Sequence, residues 1–225
     1  ARAAGIRVLT GKAIASVKGG KRVTGVTVCA QAGEGAVQEE IACEAVAMSG
    51  GWSPVVHLWS HCGGKLNWDE TISAFIPDPA RPPLNHDGSA MVEVVGAASG
   101  DLTLTGTTPA IPPVWVMPQG APITLRNKMW LDYQNDVKVF DVQLAAREGY
   151  LSVEHTKRYT TLGMATDQGK LSNINGLAIL ADAQGSQIPQ VGTTTFRPPY
   201  TPVTIGALAG ESRGEIFQPL RRTPM

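Results

Sequence analysis

The stretch that decides the fold is residues 139–185, VFDVQLAAREGYLSVEHTKRYTTLGMATDQGKLSNINGLAILADAQG. Apolar residues recur at helical spacing in its first part, at Val139, Val142, Ala145 and Ala146. This pattern predicts a helix with one apolar face, and Gly149 stands where a helix-terminating glycine is expected.

The same stretch predicts two further helices. Ser152, with Glu154 behind it, opens a short helix that runs to about Tyr159. A third helix is expected to begin within residues 167–172 and to end at Gly185. Its apolar face comprises Ile174, Leu177, Ala178 and Ala181. We therefore expect three short helices joined by tight turns.

The composition narrows the classes of protein. With 225 residues the chain can form one or two domains, and its 19 basic residues balance its 19 acidic ones. No net field therefore attracts nucleic acid or an anionic membrane surface. No apolar stretch reaches the roughly 18 residues of a membrane span, and the N-terminus lacks the apolar core of a signal peptide. We expect neither nucleic acid nor a membrane as partner.

The cysteines indicate the cellular compartment, and the chain ends indicate whether the polypeptide is complete. The chain has three cysteines, Cys29, Cys43 and Cys62. Their odd number and their spacings fit neither a disulfide framework nor a zinc finger. This usage predicts a reducing, cytoplasmic compartment. The chain begins without Met and ends after a Pro-rich run, so we expect a piece of a longer polypeptide.

The N-terminal half has the pattern of an α/β fold. Residues 5–29 contain three β-branched runs with a hairpin signal at Gly19-Gly20, which predicts a β-meander. Residues 41–49 and 91–96 read as buried strands that deliver their ends to glycine turns. The first of these turns is Gly50-Gly51. Such turns allow close approach to a dinucleotide, but without a full G-x-G-x-x-G they are more often ordinary tight turns.

Two stretches hold residues of chemical interest. His57, His61 and Cys62 have metal-ligand spacing, but the following glycines break any helix and no fourth ligand is near. Loop histidines near the surface are the favoured alternative, and we predict no metal site. Residues 155–170 are rich in cations, hydroxyls and glycines. The candidate binding residues there are Lys157, Arg158, Thr160, Thr161 and Lys170.

That basic stretch directly precedes the N-terminus of the third predicted helix, where unpaired backbone N–H groups favour an anion. A phosphate cradle and a plain basic helix end are equally compatible with the spacing.

We divide the chain into residues 1–106, a linker at 107–126 with five prolines, a helical module at 127–188, and an extended Pro-rich arm at 189–225.

Long motifs add a resemblance. They are LDYQNDVKVFDVQLAAREGYLSVEHTKRYTTLGMATDQGKLSNINGLAIL at 131–180, SGGWSPVVHLWSHCGGKLNWD at 49–69, VVGAASG at 94–100 and VGTTTFRPPYTPVTIGALAG at 191–210. With them the chain resembles the alpha-subunit family of heterotetrameric sarcosine oxidases over nearly its whole length.

The resemblance implies a fold and its cofactors. In that family a dinucleotide-binding region holds NAD, a helical module related to bacterioferritin-associated ferredoxin follows, and an aminomethyltransferase-like region binds tetrahydrofolate. The chain would cover the end of the first region and all of the second, and the folate site would lie outside it. The implied NAD contacts fall around Ala97, Leu102 and Leu104, at the glycine turn of residues 96–100, and Gly50 and Gly51 are separate candidates for cofactor binding.

The resemblance also implies that an iron–sulfur cluster is lost. Related modules carry four cluster cysteines, whose positions here are occupied by Asp132, Gln134, Asp167 and Ser172. None supplies a thiolate, so no [2Fe–2S] cluster is expected.

The implied activity is the oxidation of sarcosine to glycine with formation of hydrogen peroxide and a folate-bound one-carbon unit. FAD would lie in a beta subunit and FMN at the alpha/beta interface of a heterotetramer with further small subunits. The segment would bind NAD and dock the beta subunit, with no catalytic residue of its own, and residues 157–170 would form a wall of the FMN site. The alternative is a non-catalytic assembly module of a related amine or opine dehydrogenase complex.

Overall fold

The protein is described here from a computed structural model of its 225 residues. The structure describes residues 1–103, 110, 112–198, 201–212, 214 and 223–224. Within them, three small antiparallel sheets and seven short α-helices follow one another along the chain.

The first sheet is a three-stranded antiparallel meander in the order β1-β2-β3. Its strands are β1 (Lys12–Gly19), β2 (Val23–Ala30) and β3 (Val37–Ala42). The hairpin predicted at Gly19-Gly20 is confirmed, because Gly19 pairs with Val23. Gly19 has a φ of 129°, and a Cβ there would lie 2.0 Å from the Arg22 carbonyl oxygen, so the turn requires glycine.

The meander is shifted along the chain relative to the prediction. The apolar run around Ile6 precedes the first strand, and the third strand lies at Val37–Ala42, in a segment that reads as polar. β3 is an edge strand, and its Glu39 and Glu40 form ion pairs with Arg7 and Lys18. A search for apolar runs misses such a strand because charged side chains are expected at sheet edges.

The two predicted buried strands at 41–49 and 91–96 are wrong. β3 ends at Ala42, and no strand covers residues 43–56, where Met48 is largely exposed. Residues 91–95 likewise form no strand, and a 3-10 helix follows at Gly96–Ser99. A buried strand needs hydrogen-bonded neighbours. In the first segment only Ile41 and Ala42, the end of β3, pair with β2, and among the described residues no strand pairs with residues 43–49 or 91–96.

A compact hairpin follows the first sheet. It comprises the short helix α1 (His57–His61) and the paired strands β4 (Leu66–Asp69) and β5 (Ala74–Pro77). The buried Trp59 donates its indole N–H to the Lys65 carbonyl at 2.7 Å. Its ring packs directly on Gly64, where a Cβ would lie 2.4 Å from Nε1. This packing and the hydrogen bond to Lys65 anchor the hairpin to α1.

The Pro-rich linker packs onto the first sheet. The backbone N–H groups of Gln119 and Gly120 donate to the carbonyls of Gln31 and Gly33 in the β2–β3 connection. Its last residues form one helical turn, α2 (Ile123–Arg126), although five prolines argued against helix there. Of this linker, residues 107–109 and 111 lie outside the described residues.

The three helices predicted from residues 139–185 form at those positions. They are α3 (Val139–Arg147), α4 (Val153–Thr160) and α5 (Asn173–Gln184), preceded by the short hairpin of β6 (Trp130–Asp132) and β7 (Val137–Lys138). Asp141 accepts the Lys138 N–H at 2.8 Å and so caps α3. The glycines that follow α3 and α5, Gly149 and Gly185, both have positive φ.

These helices share one apolar core. Its buried members are Leu131, Val137, Val139, Val142, Leu162, Ile179 and Leu180. Gly176 of α5 lets this core close, because a Cβ at that position would lie 2.3 Å from Cδ2 of the buried Leu162. Trp115 and Val116 of the linker pack against the same cluster.

The arm at 189–225 is not wholly extended. Two short helices form within or at the start of it, α6 (Ile188–Val191) and α7 (Ile205–Ala209). Thr204 caps α7 by accepting the Ala207 N–H at 3.2 Å, a signal present in the sequence as Thr before a small-residue run.

Candidate anion and nucleotide site

Three cations line one pocket between α4 and the arm. Lys157, Arg158 and Arg197 face a space of about 280 Å³. The remaining lining residues are Glu154, Met164, Gln168 and Pro198. We call this the basic pocket. Three cations against one carboxylate suit a singly or doubly charged anion such as a phosphate group.

Hydrogen bonds fix the arm against α4. Lys157 is buried, and its Nζ donates to the Thr195 carbonyl at 2.8 Å. Glu154, one turn earlier on the same helix, accepts the Thr195 N–H at 2.5 Å. Both polar groups of the Thr195 backbone are therefore bonded to α4, and Arg197, two residues later in the arm, lines the pocket.

The cations of this pocket act on each other. Burial lowers the pKa of Lys157, and the neighbouring Arg197 and Arg158 lower it further against the opposing effect of Glu154. Burial alone would raise the pKa of Glu154, but the Thr195 N–H, Lys157 and Arg158 bring it below its ordinary value. A bound anion would relieve this concentration of positive charge.

Of the two arginines of the basic pocket, the sequence predicts Arg158 as a binding residue and does not predict Arg197. Arg158 was predicted, and it pairs through Nη1 with Glu154 at 3.0 Å while staying half exposed. Arg197 was missed, although it is the single cation in the arm motif TTTFRPPY. Its signal is spatial, because 39 residues separate it from Arg158 along the chain.

The predicted hydroxyl and amide donors are engaged within the chain. Thr160 donates its hydroxyl to the Thr156 carbonyl at 2.7 Å, and Thr161 donates to the Thr160 carbonyl at 2.5 Å. The N–H groups of Gly169 and Leu171, which precede α5, donate to the carboxylate of Asp167. An anion in this region would therefore be held by the long cationic side chains.

Lys170 lies at a different pocket, which also contains the glycine turn. This second space of about 280 Å³ is lined by Gly50, Gly51 and Lys170, with Trp52 and Trp115 among its other walls. We call it the glycine pocket. A Cβ at either glycine would meet nothing within 4 Å, so the turn leaves open space for a ligand. The structure thus brings together two stretches that are 119 residues apart.

Of the other predicted nucleotide contacts, Ala97 and Leu102 do not line this pocket. Ala97 is exposed in the 3-10 helix at Gly96–Ser99, and Leu102 is half-buried beyond it. Gly100 packs against Ile76, since a Cβ there would lie 2.7 Å from Cγ2 of that side chain. Leu104 lies outside the described residues. The assignment of Ala97, Leu102 and Leu104 to NAD stays a prediction.

Of the four positions that the resemblance matches with cluster cysteines, three carry side-chain hydrogen bonds. Asp132 accepts the N–H groups of Gln134 and Gly163, and Gln134 accepts from Thr166. Asp167 caps the turn before α5, as described above, and Ser172 is buried at the start of that helix. Among the described residues, no group of three or more His, Cys, Asp or Glu side chains is arranged to hold a metal ion.

The histidine stretch differs from the expectation of surface loop residues. His57 begins α1 and is 4% exposed, with its ring 3.7 Å from that of Phe196. Its Nε2 lies 3.2 Å from the Gln168 carbonyl oxygen. Burial is the main cause that lowers the pKa of His57 to about 4, so the ring is neutral at pH 7.

Two further observations concern the cysteines and the helices. The three cysteines are free thiols, with Cys29 buried and Cys62 exposed. Of the helices in the described ranges, none combines the length and apolar character needed to span a bilayer.

Comparisons with known proteins agree with the resemblance. Residues 126–211 match the family model of the sarcosine oxidase A3 domain. The chain is 40% identical to the sarcosine oxidase subunit alpha of Rhizobium meliloti, over 97% of this chain and 24% of that protein. It is 37% identical to the subunit alpha of Corynebacterium sp. strain U-96, over 98% of this chain and 26% of that protein.

The chain therefore spans about a quarter of the length of these relatives. A solved structure, L-proline dehydrogenase from P. horikoshii, has a similar fold, with a TM-score of 0.56 and 19% identity. That likeness covers 86% of this chain and 43% of the other. It supports a shared fold of mixed helices and sheets.

Proposed function

Because this chain is homologous to a segment of the sarcosine oxidase alpha subunit, we propose that it serves a sarcosine-oxidising enzyme as a cofactor-binding and docking segment. The complete enzyme would oxidise sarcosine to glycine and release hydrogen peroxide in the cytoplasm. The observation that carries this role is the basic pocket, where three cations from α4 and the arm converge.

The donor set of this pocket fits the phosphate of FMN. Lys157 and Arg158 come from the last turn of α4, where exposed carbonyl groups favour cations, and Arg197 comes from the arm. FMN would supply the redox chemistry when bound at the interface with the beta subunit. The residues of this chain would bind its phosphate and orient it toward the partner.

Replacing the exposed cations tests this assignment. In the complete alpha subunit produced together with its partner, Arg158→Ala and Arg197→Ala should each weaken the hold on FMN by about 1–3 kcal/mol, the effect of a charge-assisted hydrogen bond. FAD should stay at its wild-type level. The ratio of FMN to FAD in the purified complex gives the measurement.

A matched control separates charge at the pocket from total charge. Arg22→Ala removes a cation from the exposed β1–β2 turn, far from α4 in the sequence, and should leave the FMN to FAD ratio unchanged. If Arg158→Ala and Arg197→Ala also leave it unchanged, the pocket is a solvated basic surface. Loss of assembly with normal flavin content would instead support the alternative, a non-catalytic assembly module.

The glycine pocket favours a second binding function. Gly50 and Gly51 leave room for a ligand, and Lys170 supplies a cation beside two indole rings. We propose that this pocket forms one edge of the NAD site, whose phosphate loop would lie elsewhere in the complete subunit. Lys170→Gln should weaken NAD binding to that subunit severalfold in calorimetry, and an unchanged affinity would remove Lys170 from the site.

A further inference from the structure

One loop supplies walls to both pockets, and the short β6–β7 turn holds it. The pocket loop, residues 161–172, connects α4 to α5. We propose that Asp132 and Gln134 are positioning residues that fix the conformation of this loop. The effect on ligand binding rests on the function proposed above, whereas the hold on the loop does not.

The backbone of the pocket loop needs an external hold. Thr161 and Gln168 have φ values of 64° and 52°, in the left-handed region that side chains with a Cβ rarely adopt. Gly163 and Gly169 also have positive φ. Residues in such conformations persist only where the surroundings over-determine them.

Asp132 provides the first hold. Asp132 is buried, with 5% of its surface exposed. Oδ1 accepts the N–H groups of Gln134 and Asn135 at 2.9 and 3.1 Å, and Oδ2 accepts the N–H of Gly163 at 3.2 Å. The four side-chain ion pairs of the described residues lie elsewhere, so this carboxylate is stabilised by N–H donors. It joins its own turn to the pocket loop.

Gln134 and Asn135 add contacts to the same loop. Oε1 of Gln134 accepts both the N–H and the hydroxyl of Thr166, at 3.0 and 2.7 Å. Asn135 donates its side-chain N–H to the Thr161 carbonyl at 3.0 Å. Three consecutive polar positions of one turn therefore bind the loop at three points.

The loop is confined on its other side by α5. A Cβ at Gly163 or at Gly169 would lie 2.2 Å from Oδ1 of the buried Asn173. Asn173 in turn donates to the Thr194 hydroxyl at 2.9 Å. The loop backbone at Gly163 and Gly169 therefore packs closely against the Asn173 side chain.

The loop residues between these contacts form pocket walls. Met164 and Gln168 line the basic pocket, and Lys170 lines the glycine pocket. Release of the Asp132 and Gln134 contacts would displace these walls while leaving the helices α3 and α5 packed. The carboxylate and the amide thus act on the pockets through the loop.

The test combines hydrogen exchange with flavin content in the complete alpha subunit and its partner. Asp132→Asn keeps the shape but turns an amide N–H group toward the Gly163 N–H, and Gln134→Met removes the acceptor for Thr166 without loss of volume. We expect amide exchange in residues 161–172 to rise about 10- to 100-fold, and FMN content to fall, with exchange in α3 unchanged.

Two variants serve as controls. Asp136→Asn lies in the same turn, is exposed, and has a φ of 55° that Asn tolerates, so both readouts should stay at wild-type levels. Gln134→Glu keeps an acceptor for Thr166 and should retain FMN, whereas Gln134→Met, of similar volume, should not. A role of side-chain size alone would predict retained FMN in both variants.

Each outcome decides a separate point. Unchanged loop exchange in both Asp132→Asn and Gln134→Met would overturn the proposal whatever the flavin content. Where Arg158→Ala and Arg197→Ala do lower the FMN content, faster loop exchange with full FMN content in the Asp132 and Gln134 variants would show a hold that does not serve the pocket, and would also overturn the positioning role. If Arg158 and Arg197 prove irrelevant to FMN while loop exchange still rises, the proposed function fails and the hold on the loop stands.

Discussion

The sheet part, residues 1–103, and the helical part, residues 129–196, are stabilised in different ways. The helical part encloses seven buried apolar residues in one cluster, drawn from strands, helices and the pocket loop. The sheet part has long stretches without regular structure, at 43–56 and 78–95, and several of its large apolar side chains are exposed. Its core is divided between the meander and the α1–β4–β5 hairpin.

This difference follows from where each element finds its hydrogen bonds. A helix satisfies its backbone within four residues and needs only one apolar face covered, which α3 and α5 do for each other. A strand depends on neighbours that come from elsewhere in the sequence. The contrast predicts that truncations in the buried cluster of the helical part cost far more than truncations at the exposed apolar positions of the sheet part.

The largest effect is expected from Leu180→Ala. Leu180 is 1% exposed in the central cluster, so its truncation leaves a cavity and should lower the free energy of unfolding by about 2–5 kcal/mol. Val95→Ala, at a position 73% exposed in the sheet part, should change it by less than about 0.5 kcal/mol. Urea denaturation of both variants measures the difference.

Equal losses for these two variants would contradict the comparison. A large effect of Val95→Ala would mean that this part of the chain is covered in the protein as it exists in the cell. That result would direct attention to what packs on residues 91–95.

A glycine substitution should give opposite signs in the two parts. Gly176→Ala usually favours a helix, but here the methyl group would collide with the buried Leu162, so we expect a loss of about 1–3 kcal/mol. Gly20→Ala, in the exposed β1–β2 turn with open space around it, should be neutral or slightly stabilising. Thermal unfolding of both variants checks the signs, and a stabilising Gly176→Ala would mean that Leu162 repacks freely.

The sequence predicted the helical part well and the sheet part poorly for the same physical reason. The spacing of Val139, Val142 and Ala145 reports a local helical face, and α3 formed there. The run at 41–49 is equally apolar, but apolarity alone does not say whether a partner strand is available. Strand pairing is a non-local property, and in the described residues the run has a partner strand only as far as Ala42, at the end of β3.

The site was predicted in pieces for a related reason. Lys157 and Arg158 stood out because they adjoin a glycine- and hydroxyl-rich loop, and they do line a pocket. Arg197 and the meeting of Gly50 with Lys170 depend on how distant segments fold together, and no local pattern marks them. Thr160 and Thr161 were singled out by residue type, but their hydroxyl groups are bonded to α4.

The contact between the two parts should respond to pH through His57. Burial lowers its pKa to about 4, with smaller contributions from Lys170 and His61, against the Gln168 carbonyl and Asp167. In the unfolded chain the ring titrates near its ordinary pKa of 6.5. Between these values the unfolded chain binds a proton that the folded protein does not, so stability is full above pH 6.5 and falls toward pH 4.

The two pKa values set an upper bound of about 3 kcal/mol on that loss at pH 4, and a substitution isolates it. His57→Gln keeps an N–H donor near the Gln168 carbonyl but cannot titrate, so it should flatten this part of the pH profile of the unfolding free energy. His155→Gln, at an exposed position of α4, should leave the slope as it is. The prediction fails if the wild-type profile between pH 4 and 6.5 is unchanged in His57→Gln.

The smallest effect is expected from the ion pair at the edge of the first sheet. Arg7 donates twice to Glu39, at 2.6 and 2.7 Å, yet the Arg7 side chain is largely in solvent and that of Glu39 is partly so. Water and salt screen such a pair, and ordering two long side chains opposes its attraction. Arg7→Gln should therefore leave the melting temperature nearly unchanged at about 0.15 M salt, with a small loss visible only at low salt. Because backbone hydrogen bonds between β2 and β3 hold this edge, Glu39→Gln should behave in the same way. A loss as large as that of Gly176→Ala would show instead that the sheet part depends on side-chain ion pairs in place of a core.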